Sequence, residues 1–288
     1  MSEISHEQRV WRKIDYTTKV GGCALDMTVF APLENNLPGF IIPIPPGLAS
    51  KRRVYDQLAQ VLASDGHIPV LIGHEGASDD GVRAITYALQ SIEHGSFAGQ
   101  SLPIDVGNEI ILNPHSLGAR KTVKSMKALR AAGDSRIQHV VLEASACLGG
   151  VNKLRAPLDA AHSIAREMHY VRWSGVVAHH EVALDALSYI RGLGLRIATE
   201  LYDATWGSIE RDIAELQSDG VSFAAVDHPD DLLVSSYKNQ QAYHRLGIPH
   251  TAVDAPYAGH NAQLYHSRQT ADAIYRAHAL LRDNTVAA

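Results

Sequence analysis

The chain has 288 residues, a formal net charge of −5, 45% hydrophobic residues and 20% charged ones. That is enough apolar material for one large α/β domain or two small ones, and the mildly acidic balance gives no electrostatic footprint for a nucleic-acid partner. Cys23 and Cys147 are too few and too far apart for a disulfide framework, residues 1–13 carry no apolar signal core, and no apolar run approaches a membrane span, so a reducing, cytoplasmic setting with no membrane span is expected.

Trp11 to Val20 and Leu25 to Pro32 read as two strands around a Gly21-Gly22 turn, an antiparallel hairpin. Gly39 to Ile44 is a continuous apolar run of the kind buried on both faces of a sheet, and Pro45-Pro46-Gly47 ends it. Arg53 to Ser64 has helical spacing, with Val54, Leu58, Val61 and Leu62 on one face. Ile68 to Ile72 is the next buried strand, followed by a helix from Gly81 to Ile92. Ile110 to Asn113 is a strand, Arg120 to Ala132 a helix, and Ile137 to Leu142 another strand. The helix carries Arg120, Lys121, Lys124, Lys127 and Arg130, which read as a solvated face. The alternation resumes with a helix from Gly207 to Gln217, strands at Val221 to Val226 and His250 to Val253, a helix from Asn239 to Leu246, and a closing helix from Asn261 to Arg282. Alternating apolar strands and helices predict a mostly parallel central sheet with helices on both faces. Residues 146–203 are mainly helical in pattern and too long for one crossover. They are expected to form a helical cap insertion, leaving 1–145 and 204–288 as the core.

The stretch most informative about chemistry is Pro114-His115-Ser116-Leu117-Gly118, between an apolar strand and a helix. A sharp strand–turn–helix junction lifts a serine hydroxyl clear of the sheet, and small neighbours such as Gly118 tolerate the backbone strain. The usual G-x-S-x-G spacing has proline at its first position here. A serine needs a base, and the base an orienting acid. His260, in the glycine-containing loop Ala258-Gly259-His260-Asn261, is the expected base. Asp231 is the preferred acid, because Leu-Leu-Val follows it directly, with Asp230 the alternative, and Asp227 and Glu143 less favoured. The backbone N–H groups of Leu48 and Leu117 are the expected oxyanion donors. Among 16 histidines no metal-ligand spacing stands out. The nearest, His179-His180-Glu181, puts neighbours on diverging helix faces, so no metal is expected. No G-x-G-x-x-G follows a strand, which argues against a dinucleotide site.

With these residues in place, the chain resembles the α/β-hydrolase superfamily over nearly its whole length. Ser116, Asp231 and His260 follow that family's order of nucleophile, acid and base. Pro46-Gly47-Leu48 lies where the family has its His-Gly oxyanion turn. Gly73-His74-Glu75-Gly76-Ala77-Ser78 resembles its G-H-G-x-S loop, and Ala258-Gly259-His260 its terminal histidine loop. The resemblance implies a serine hydrolase that cleaves a carboxylic ester or thioester of a small organic substrate through an acyl-enzyme on Ser116, without cofactor or metal. Its cap would shape the pocket, with Tyr170, Trp173, Tyr189 and Trp206 as candidate lining. Acyl transfer on the same triad is the variant. A non-catalytic or non-hydrolytic ligand binder on the same fold is the alternative, motivated by Pro46 and Pro114.

Overall fold

The computed structural model describes residues 11–33, 39–47, 52–74, 78–133, 136–148 and 207–286, together with the single positions 162, 165 and 202. Strands β1 (Trp11–Val20) and β2 (Cys23–Pro32) form the predicted hairpin. Gly21 and Gly22 both take positive φ (58° and 84°), the backbone a two-residue turn between right-twisted strands requires. Next come β3 (Ile41–Ile44), helix α1 (Asp56–Ser64), β4 (Ile68–His74) and α2 (Ser78–His94). A small hairpin of β5 (Ser96–Phe97) and β6 (Gln100–Ser101) precedes β7 (Ile111–Leu112), α3 (Gly118–Ala131) and β8 (His139–Glu143). The remainder is the helix Glu210–Ser218, β9 (Ser222–Asp227), the helix Ser236–Leu246, β10 (His250–Ala252), and two helices, Ala262–Tyr265 and Ser267–Val286.

Two four-stranded ladders, β1-β2-β4-β3 and β10-β9-β8-β7, run parallel except at β2. They join edge to edge through a parallel bridge from Ile41 to Ile110 and through bonds from Ile41 N to Glu109 O, Asn113 N to Pro43 O and His115 N to Pro45 O. The junction is thin for a chemical reason. Residues 41, 43 and 45 face β7, and two of them are prolines with no N–H to give. The carbonyls of Pro43 and Pro45 still accept, so the serine strand stays in register without those two donors.

Side chains alternate across the sheet into two cores. Val70 and Ile72 of β4, Val140 and Leu142 of β8, and Phe223 and Ala225 of β9 pack toward α2, α3 and the helices Glu210–Ser218 and Ser236–Leu246. Leu71, Val141, Ala224 and Val226 pack on the other face with α1 and the C-terminal helix. This is the two-sided cover expected of buried parallel strands. The predicted fold class is therefore the observed one.

Two expectations need correction, and one element has no counterpart in the sequence reading. The basic residues of α3 are not a solvated face: Lys121 is buried, and none of the five is fully exposed. Lys127 Nζ lies 2.6 Å from both Asp212 and Glu215 on the helix Glu210–Ser218, so its charge docks one helix on another. The closing helix is two helices, broken at His266. The β5–β6 hairpin was not predicted; its turn puts Ala98 and Gly99 at positive φ (50° and 79°), and no Asn-Gly or Asp-Gly announces it. The expected insertion at 146–203 lies outside the described residues apart from Ala146–Leu148, which pack in the core, and positions 162, 165 and 202. Leu48, Glu75–Ala77, Tyr170, Trp173, His179-His180-Glu181, Tyr189 and Trp206 also lie outside them.

Candidate active site

Ser116 stands at the junction of β7 and α3 with φ +54°. A non-glycine residue pays for that conformation, and it persists only where its surroundings over-determine it. Here they do. Ser116 N–H donates to Glu143 O (2.9 Å), Glu143 N–H to Pro114 O (3.0 Å), and Gly118 N–H to His115 O (2.8 Å). Glycines clear the approach on both sides. A Cβ on Gly118 would come within 2.5 Å of Pro46 O, and one on Gly47 within 2.8 Å of Ser116 Cβ.

Pro114 is accommodated by a substitution of donors. In the parallel register of β7 and β8, an N–H at position 114 would meet Val141 O. Proline has none, and Asn113 Nδ2 donates to that carbonyl instead, at 3.0 Å. The elbow thus forms without its first glycine. Nothing in the sequence pattern singled out Asn113.

The loops after β9 and β10 complete the site. Ser116 Oγ lies 2.9 Å from His260 Nε2, and His260 Nδ1 lies 2.6 Å from Asp231 Oδ2. The second oxygen of Asp231 accepts from Leu233 N–H (2.8 Å) and Val234 N–H (2.9 Å). The Leu-Leu-Val segment behind Asp231 therefore holds the carboxylate through its backbone. Asp230 N–H donates to Ala258 O, and it is the Asp231 carboxylate that lies 2.6 Å from His260 Nδ1. Asp227 accepts from Gln240 Nε2 at 3.1 Å, and burial pushes its carboxyl up to about 6. Leu117 precedes α3, so its N–H points out at a helix N-terminus, where intrahelical acceptors are missing and the dipole favours negative charge. Gly47 N–H is committed to the Tyr55 hydroxyl at 3.1 Å, which removes it as an oxyanion donor.

Behind the triad lies a second polar cluster. Glu143, His228 and His115 are essentially inaccessible to solvent. His228 Nε2 lies 3.2 Å from Glu143 Oε1, and its Nδ1 faces Gly259 O (2.8 Å) and His260 O (3.2 Å). His115 Nε2 lies 2.8 Å from His260 O, and its Nδ1 lies 2.9 Å from the Tyr55 hydroxyl. Burial opposes charge on both members of the Glu143–His228 pair, but their mutual contact outweighs it. The imidazole is pushed up and the carboxyl down, which favours the charged form of each. Burial, with His260 beside it, pushes His115 down to about 3, and that ring is neutral. Ligand atoms of His115, Glu143 and His228 lie within 4.8 Å of one another. A metal there would have to displace the backbone carbonyls and the tyrosine hydroxyl that already occupy three of the four ring nitrogens.

No protein family and no curated protein matches the sequence. Solved structures do match across nearly the whole chain. A thioesterase domain from the curacin biosynthetic pathway superposes with a TM-score of 0.61 at 13% identity, over 92% of this chain and 99% of its own. An N-formylmaleamic acid deformylase from Pseudomonas putida S16 gives 0.60 at 14% identity, over 91% and 100%. An esterase from Pyrobaculum calidifontis gives 0.60 at 15%, over 98% and 88%. At such identities the likeness concerns the fold.

Proposed function

Starting from the α/β-hydrolase fold that this chain has, we propose that it is a serine hydrolase acting on a carboxylic ester or thioester of a small organic substrate. The observation that carries the reading is the continuous line from Ser116 Oγ through His260 to Asp231, at 2.9 and 2.6 Å, with the serine held at positive φ. Its polarity follows from the partners. A carboxylate only accepts, so His260 Nδ1 carries the proton and Nε2 is left to take the serine's. Attack of Oγ on the carbonyl transfers that proton to Nε2, and Asp231 stabilises the imidazolium that forms. Collapse of the tetrahedral intermediate returns the proton to the leaving alcohol or thiol. Water, deprotonated by the same nitrogen, then releases the acid and restores Ser116.

The N–H of Leu117, with that of Leu48 after Gly47, holds the developing oxyanion; each donor lowers the barrier by about 3 kcal/mol. Ile209 N–H donates to Cys147 O at 3.3 Å, so the chain leaves the core and returns to it at one place beside β8. This supports reading the intervening segment as an insertion near the site. A screen of p-nitrophenyl esters and acyl thioesters of graded chain length tests the function. Turnover that disappears in Ser116→Ala supports it, and a folded wild type inert on every member contradicts it. No helix among the described residues is long and apolar enough to cross a membrane.

A further inference from the structure

We propose that the buried Glu143–His228 pair, together with His115, positions the catalytic imidazole by gripping the backbone carbonyl of His260 from behind. The proposal rests on the hydrolase reading for its kinetic arm and on geometry alone for its spectroscopic one. Carbonyls only accept hydrogen bonds, so the direction of every bond in the cluster is fixed. His260 O faces two ring nitrogens, His115 Nε2 at 2.8 Å and His228 Nδ1 at 3.2 Å, and both must carry hydrogen. His228 Nδ1 also donates to the neighbouring Gly259 O at 2.8 Å. With Nε2 of His115 protonated and the ring neutral, Nδ1 is an acceptor, and the Tyr55 hydroxyl donates to it. Tyr55 oxygen in turn accepts from Gly47 N–H. One directed chain therefore runs from the loop after β3, through Tyr55 and His115, to the carbonyl of the catalytic histidine.

The Glu143 carboxylate has a specific part in this. His228 must keep hydrogen on Nδ1 to serve the two carbonyls. The carboxylate oxygen 3.2 Å from Nε2 favours the charged ring, in which Nδ1–H is present. Glu143 is also fixed to the nucleophile, because its own N–H and C=O bond to Pro114 and Ser116. The cluster thus refers the position of His260 to the strand that carries Ser116. Misplacing a catalytic group by about 1 Å can cost ~100-fold in rate, which gives the grip its consequence. Glu143, His228 and His115 touch neither the substrate nor the reacting atoms. They are positioning residues.

Two double variants separate donation from bulk. Glu143→Leu/His228→Phe fills the space with apolar atoms, an exchange that buried ion pairs often tolerate without loss of stability. Glu143→Gln/His228→Asn removes both charges but keeps an N–H donor near the place of Nδ1. The expected result is a fall in kcat of about 10- to 100-fold in the first with KM unchanged, and recovery to within about threefold of wild type in the second. The downfield proton resonance of His260 Nδ1–H, assigned by its loss in His260→Gln, broadens or disappears in the first and returns in the second. Equal kcat and an unaltered resonance in the apolar pair would overturn the proposal. So would equal loss in both pairs. Should the apolar pair not fold, Glu143→Gln/His228→Ala takes its place against Glu143→Gln/His228→Asn, with the same two outcomes. A wild type inert on every ester and thioester would remove the hydrolase reading, while the resonance would still decide the grip.

Discussion

His260–Asp231 and His228–Glu143 are both imidazole–carboxylate pairs assembled by loops and strand ends at one edge of the sheet. They differ in what the second ring nitrogen faces. Nε2 of His260 faces a serine hydroxyl, which can surrender a proton, and the pair keeps a sliver of exposure (9% for the histidine side chain, 1% for the aspartate). Nδ1 of His228 faces two backbone carbonyls, which cannot, and both side chains are at 0%. In the proposed reading the same two functional groups are therefore a proton carrier in one place and a fixed donor in the other. Chemistry depends on the partner of the outward nitrogen more than on the presence of a His–acid pair.

The largest effect falls on the first pair. Ser116→Ala or His260→Gln is expected to lower kcat by about 10⁵- to 10⁶-fold, and Asp231→Asn by about 10⁴-fold through the wrong tautomer, read as initial rates on the best ester of the screen. His228→Leu alone should act on folding instead. It leaves Glu143 buried without a counter-charge, at a cost of about 3–5 kcal/mol in chemical denaturation; a loss below 1 kcal/mol would mean that the second pair is not ionic.

The pH dependence of stability separates the pairs further. His115 stays neutral in the folded protein until about pH 3, whereas an unfolded imidazole takes up a proton near 6.5. The unfolded chain therefore binds more protons over that window, and stability falls as pH drops through it, by on the order of 3 kcal/mol or more. Glu143, with its folded value pushed down, adds loss of the same sign below about 4.5. His228, pushed up, has the opposite sign: its contribution is complete below about 6.5 and fades as pH rises through its higher folded value. Denaturant midpoints measured from pH 3 to 9 should show both flanks. In Glu143→Gln/His228→Asn the alkaline flank should flatten. The smallest effect is expected for Asp230→Asn, which should keep kcat/KM within about threefold, because the carboxylate bonded to His260 Nδ1 is that of Asp231.

Much of this architecture is legible in the residues. The apolar runs of Gly39 to Ile44, Ile68 to Ile72 and Val221 to Val226 read as strands because buried parallel strands need both faces apolar. The line of Ser116, Asp231 and His260 follows from their placement after strands and before helices. The supporting cluster is not legible, because Tyr55, His115, Glu143 and His228 are far apart in sequence and each reads alone as an ordinary core or loop residue. Glu143 could be considered only as a spare acid for His260; the fold gives it a histidine of its own. Asn113 escapes for the same reason, since its side chain matters only once Pro114 has left the Val141 carbonyl without its usual donor. Nor does a run of basic residues on α3 reveal that Lys127 meets Asp212 and Glu215 on another helix.

The most direct test of the central claim is the intact mass of the protein after incubation with a fluorophosphonate. One adduct per chain is expected, mapped to Ser116 and absent from both Ser116→Ala and His260→Gln. A folded wild type that takes up no label, or a label that persists in His260→Gln, would contradict a serine activated by that histidine.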